Sequence, residues 1–205
     1  MLDISRHFFE KEFICKTIHA LSLFDYNSLH LHLTDDQGWR FESKIFPKLH
    51  EVGSIRSETQ NNHGTLEPTY DGKLHNGYLT QEDIKSICNY AENLGIQIVP
   101  EINIPGHTGA LLAAYPHLGI GNQAVKVSGR WGISDHLLNP FPETFNFLEV
   151  LFSEVAEIFP SEYIHVGGDE SIIENWLDDP EIVKFMKTEK IENCKDLFVF
   201  FMNKI

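Results

Sequence analysis

Basic residues are scarce. Sixteen Lys and Arg face 30 Asp and Glu, a formal charge of −14, which opposes binding to phosphate backbones or anionic membrane surfaces. No nucleic-acid partner is expected. The chain also has no run of about 18 apolar residues and no basic segment followed by an apolar stretch at its N-terminus. Neither a membrane span nor an export signal is read, and no compartment follows. Cysteine is rare: Cys15, Cys88 and Cys194 lie far apart, without a CxxC spacing. They read as packing thiols rather than as a zinc, redox or disulfide framework. There is no low-complexity segment, linker or internal repeat.

What the chain does have is alternation. Its 205 residues, 42% of them hydrophobic, suffice for one substantial core. Short apolar strands are read at residues 2–5, 28–34, 96–103 and 161–166. Longer amphipathic segments are read over about 9–24, from the N-cap Thr80 to the stop at Gly95, over 142–159, and in two pieces over 180–205. Phe13, Ile14, Ile18, Leu21 and Phe24 carry the helical spacing of the first. This βα pattern predicts an α/β fold with a parallel sheet in one domain. Residues 53–76 read as a long loop on the working side, and about 114–140 as a second irregular stretch.

The polar residues cluster where those strands end. Asp35, Asp36, Gln37 and Trp39 follow the second strand, Asn103 and His107 the third, Asp169 and Glu170 the fourth. In parallel α/β folds these ends converge on the chemistry. In YIHVGGDES (163–171), Gly167 and Gly168 allow a sharp turn that presents two adjacent acids. Asp and Glu also cap helices, so one such pair alone says little. His30 and His32 form a His-x-His pair on one strand face, the pattern of metal-dependent barrel hydrolases, which is a rival reading. Trp39, Trp176 and His165 read as packing residues.

The segments LDISRHF (2–8), LHLHLTDDQGWR (29–40), GYLTQEDI (77–84), PEINIPGHT (100–108) and YIHVGGDES (163–171) together resemble the catalytic domain of glycoside hydrolase family 20, the β-N-acetylhexosaminidases. The resemblance spans nearly the whole chain. It implies a (β/α)8 TIM-type barrel of which about the first four βα units are present, so that residues 1–205 form a partial catalytic domain. It also implies removal of terminal non-reducing β-linked GlcNAc or GalNAc from N-acetylhexosamine-containing glycans or chitooligosaccharides. Configuration is retained, the substrate's own acetamido oxygen being the nucleophile. By resemblance Asp169 orients the acetamido group and Glu170 is the acid and then the base. His107 and one of Asp35 or Asp36 support it, and Asn103 stands where many relatives have aspartate. Neither cofactor nor metal is implied.

The family pattern also includes an arginine preceding the first of these segments, and aromatic residues from later strands that enclose the acetamido group. Without them residues 1–205 are expected to turn over little substrate, to self-associate through unpaired barrel edges, or to serve as a non-catalytic remnant that binds amino sugars or a partner.

Overall fold

The computed structural model describes residues 1–62 and 67–205. Its frame is a parallel sheet. β1 (Leu2–Asp3) and β4 (Gln97–Ile102) flank β2 (Ser28–Asp35), both parallel to it. Along β2, Leu29, Leu31 and Leu33 point to one face and are at most 2% exposed, while His30, His32 and Thr34 point to the other, as a two-residue period requires. The leucines and Ile98 and Ile102 of β4 share the core with α1 (Lys11–Ser22) and α3 (Gln81–Glu92).

The helices sit close to where the periodicity puts them. α1 buries only Ile14 and Ile18; Phe13 and Phe24 are exposed, so the helix is shorter than the apolar spacing predicts. α3 starts at the Thr80 cap in a reciprocal capping box with Asp83, which satisfies two otherwise orphaned N–H groups. Gly95 beyond its end adopts φ +72°. α5 (Pro142–Ile158), α6 (Pro180–Glu189) and α7 (Cys194–Met202) match the later helical segments. Trp176 is fully buried and donates to Leu138 O at 2.8 Å. Cys88 and Cys194 are buried free thiols, and burial pushes Cys88 up to about 11. No helix among the described residues is long and apolar enough to cross a membrane.

Three features depart from the sequence pattern. The expected fourth strand, 161–166, is reduced to an isolated bridge at His165, although it runs parallel to β4. Its bonds are His165 N–H to Pro100 O (2.9 Å), Ile102 N–H to His165 O (3.0 Å) and Ile104 N–H to Val166 O (3.0 Å). The polar segment after β2 is no open loop: β3 (Gly38–Trp39) folds straight back onto β2, pairing Asp35 with Gly38. Two short helices, α2 (Lys48–Glu51) and α4 (Gly109–Ala114), and 3-10 turns at Pro116–Leu118, Ile120–Asn122 and Ile173–Asp178 occupy stretches read as irregular or unassigned. Within 53–76, bridges pair Arg56 with His75 and Gln60 with Tyr70; residues 63–66 lie outside the described ones.

The β2–β3 hairpin explains DDQGWR. Trp39 is 1% exposed and donates to Phe41 O, a packing residue as the sequence suggests. Arg40 is fully buried, and its guanidinium donates to the carbonyls of Ser5, Ser54, Gly77 and Gln37. Among the described residues no carboxylate pairs with it, and burial, with Arg56 nearby, lowers it to about 9.

Candidate active site

The two acids are placed by backbone that only small or strained residues adopt. Gly167 has φ +71° and Gly168 φ +96°, and Glu170 itself lies at φ +51°, a region costly for a residue with a Cβ. A Cβ on Gly167 would lie 1.9 Å from Asn103 Oδ1. That contact explains the glycine, because Asn103 bridges the turn: its Oδ1 accepts from Gly168 N–H (3.3 Å) and its Nδ2 donates to Asp169 Oδ1 (3.2 Å). Asn103 is in turn fixed by its own N–H donating to Thr34 Oγ1 at 3.1 Å. We expect Gly167→Ala to shift the Asn103 and Asp169 resonances in amide-detected NMR while the rest of the spectrum is retained. Unchanged resonances there would show that the turn tolerates a side chain.

A second turn approaches from β4. His107 adopts φ +54°, and a Cβ on Gly106 would lie 2.7 Å from Ser171 Oγ, so this backbone passes close to the segment that bears the acids. His107 Nε2 points to Glu170 Oε2 at 3.3 Å without hydrogen-bond alignment. Its Nδ1 faces both aspartates, at 3.1 Å from Asp35 Oδ1 and 3.3 Å from Asp36 Oδ2. The sequence left open which aspartate supports the site; both touch His107. Burial alone would lower His107, but the two carboxylates outweigh it and raise it to about 10. It is therefore an imidazolium at neutral pH.

The two aspartates differ in their other partners. Asp36 Oδ1 accepts from Gly109 N–H at 2.8 Å. Asp35, 1% exposed, meets Arg6 Nη2 at 2.8 Å and His32 Nε2 at 2.9 Å through the same oxygen. Burial would raise Asp35, yet hydrogen bonds from His107 and His32, with the Arg6 charge, hold it at about 2. His32 Nδ1 lies 2.8 Å from Glu101 Oε2. Both its ring nitrogens thus meet carboxylates, and against the burial that would lower it these partners raise it to about 9.

Glu101, Arg6 and His32 are the members that sequence reasoning missed or misassigned. Glu101 is 3% exposed and also meets His30, while His165 Nδ1 stands 3.4 Å from its Oε1 with no proton to share. His165 Nδ1 accepts from Gly167 N–H at 3.0 Å, so it is a satisfied structural histidine. His30 and His32 do not share a ligand set. Among the described residues, the groups able to offer three ligand atoms within 4.8 Å are His30–Glu101–His165, Asp35–Asp36–His107 and His107–Asp169–Glu170. His32 is engaged by Asp35 and Glu101, whereas His30, which burial lowers from its ordinary value, meets Glu101 as a hydrogen-bond partner.

A cleft of about 600 Å³ opens beside these groups, lined by Asp3, Arg6, Gln37, His107, Trp131, Gly132, Ile133 and Glu170. Trp131 and Ile133 come from the segment read as irregular, which carried no periodic signal. Glu170 is half-exposed to this cleft while His107 is buried behind it.

The glycosyl hydrolase family 20 catalytic-domain model matches residues 1–205. A beta-hexosaminidase of Vibrio furnissii is 37% identical over 202 residues, 96% of this chain and 32% of that protein. One of Porphyromonas gingivalis is 36% identical over 205 residues, 100% of this chain and 25% of that protein. A crystal structure of a beta-N-acetylhexosaminidase superposes with TM-score 0.91 at 34% identity, covering 98% of this chain and 42% of the other. A GH20 exo beta-N-acetylglucosaminidase from Vibrio harveyi, solved with N-acetylglucosamine, gives TM-score 0.79 at 33% identity over 96% of this chain and 31% of that one. The chain thus spans about a third or less of the curated relatives named here.

Proposed function

The chain belongs to glycosyl hydrolase family 20, whose catalytic domain is of the TIM-barrel type, and from that premise we propose that residues 1–205 carry the acid–base and acetamide-orienting groups of a retaining β-N-acetylhexosaminidase. The parallel segments β1, β2, β4 and 163–166, in that spatial order, are then the first four strands of a (β/α)8 barrel. The reading rests above all on one observation: adjacent Asp169 and Glu170 stand at the C-terminal end of a parallel segment, with the imidazolium of His107 3.3 Å from Glu170.

The substrate is a glycan ending in β-linked N-acetylglucosamine or N-acetylgalactosamine. Asp169, oriented by the Asn103 amide, accepts a hydrogen bond from the acetamido N–H and turns the acetamido oxygen toward C1. That oxygen forms its bond to C1 as the bond to the leaving oxygen breaks, and Glu170 delivers the proton to the leaving oxygen. Asp169 offsets the positive charge of the cyclic oxazolinium. His107 offers a positive charge and an N–H to the carboxylate that Glu170 has become, held in place by Asp35 and Asp36. Water then gives a proton to Glu170 and attacks C1. The ring reopens, and the sugar leaves with its β configuration.

The test is a proton NMR time course with an aryl β-N-acetylglucosaminide and the matching β-glucoside, which lacks the acetamido group. The expected result, at the low rate expected of residues 1–205 alone, is β-anomer as first product and cleavage of the N-acetylated substrate alone. An α-anomer first product, or equal cleavage of the glucoside, would overturn the proposal.

A further inference from the structure

Beside the cleft lies a second pocket that the mechanism does not use. It measures about 290 Å³, and its lining includes Arg6, Arg56, Asn61, Arg130 and Trp131. Its walls are two loop stretches tied to each other and to the catalytic hairpin. Gln60 N–H donates to Gly129 O (2.9 Å) and Trp131 N–H to Gln60 Oε1 (3.0 Å). Ser128 N–H donates to Asp36 O (3.0 Å) and Gln37 Nε2 to Arg130 O (2.9 Å). Arg6, Gln37 and Trp131 line both this pocket and the cleft that holds Glu170, so the two spaces adjoin.

The charge here runs against the chain, which carries −14 overall. Arg6 is neutralised by Asp3 and Asp35. Arg56 and Arg130 are not: among the described residues neither makes an ion pair. Arg56 is only 2% exposed, and among the described residues its guanidinium donates to neutral oxygens, Thr59 Oγ1 at 3.0 Å and Gln37 O at 3.1 Å. Arg40 lies near it, buried and, among the described residues, equally without a carboxylate partner. Burying a guanidinium without a counter-ion is costly, and burial does lower Arg56 from its usual value, with only Asp71 opposing. A sulfate or carboxylate entering the pocket would supply the missing charge through forked hydrogen bonds, the geometry for which arginine is suited. Asn61 adds an amide group and Thr59 a hydroxyl beside the guanidinium of Arg56, groups that can hydrogen-bond a sugar.

We infer that this arginine-lined pocket binds the anionic substituent, sulfate ester or carboxylate, of the sugar on the leaving-group side of the cleaved bond. The placement rests on the glycosidase reading above, because it is Glu170, at the shared cleft, that delivers a proton to the leaving oxygen. Selection for acidic glycans then comes from residues 56–61 and 128–131, apart from the acids that perform the chemistry.

Three disaccharides test it by isothermal titration at low and high salt: neutral N,N′-diacetylchitobiose, its 6-O-sulfate on the reducing unit, and N-acetylglucosaminyl-β-1,4-glucuronate. The expected result is binding of at least one anionic disaccharide about tenfold tighter than the neutral one, an advantage reduced by salt. Arg130→Gln, at an exposed position, should remove that advantage and leave neutral binding unchanged. Arg130→Glu should reverse it. Arg56→Gln should act likewise, with a thermal melt to verify its fold. Preference for the sulfate or for the glucuronate identifies which anion the pocket takes. Equal binding of all three would overturn the pocket and leave the glycosidase reading standing, as would an advantage that survives all three variants. Failure of the neutral disaccharide alone, with Arg130-dependent binding of the others, would keep the pocket and count against the glycosidase reading. Binding of none would overturn both.

Discussion

Glu170→Gln is expected to lower kcat/KM for an N-acetylglucosaminide with an alkyl leaving group by about a hundred- to ten-thousandfold, the range of a lost general acid. A dinitrophenyl leaving group departs without a proton, so its loss should be far smaller in the bond-breaking step. Asp169→Asn should behave differently. Asp169 works on the acetamido nucleophile, which both substrates need, so its removal should lower the two rates by a similar factor. The contrast between leaving groups is the measurement that separates the roles. Equal losses for both substrates in Glu170→Gln would remove it as proton donor, and a leaving-group dependence in Asp169→Asn would exchange the assignments. The geometry favours this division. Glu170 faces the cleft with His107 behind it, whereas Asp169 is tied by Asn103 to the end of β4.

Much of this site is legible from local pattern, because strand ends and their turn residues are local. The glycines of YIHVGGDES announce a turn, and the close approach of Gly167 to Asn103 gives the reason for one of them. The Thr80 cap and the βα alternation are likewise written in adjacent residues. Glu101 is not legible in that way. It matters because the β2–β4 register sets it beside His32, and register is a property of two distant segments. The same holds for Arg6, whose partner Asp35 lies across the β1–β2 pairing. The β3 hairpin escaped because its turn residues are Asp36 and Gln37, without the Asn-Gly or Asp-Gly signal of tight hairpins. The fourth parallel segment pairs over a shorter stretch than its apolar residues predict. Ile164 and Val166 do pack on the core, but Tyr163 is exposed and the described pairing is with β4 only.

Register also gathers charge around Asp35, and its removal should have the largest effect on stability. Three cations converge on this buried carboxylate: Arg6, His32 and His107. Asp35→Ala leaves them facing one another with fewer counter-charges, a loss of about 3–5 kcal/mol by analogy with broken buried pairs. The pH dependence follows from the direction of each shift. Asp35 is held at about 2 in the folded chain, below its ordinary 3.8. Its contribution is therefore present above pH 3.8 and is lost as pH falls toward 2. His32 and His107 are raised from 6.5 to about 9 and about 10. Their contributions are complete below pH 6.5 and fade as pH rises through 9 and 10. The parent chain should accordingly be most stable between about pH 4 and 6.5 as far as these groups decide it. In Asp35→Ala the acid limb should flatten. The deficit against the parent should be greatest near pH 5 and shrink above pH 9, where neutral histidines no longer need the carboxylate. Urea unfolding across that range measures it. A deficit independent of pH would mean that Asp35 contributes by packing, and that the charges of His32 and His107 are balanced by Glu101 and Asp36 alone.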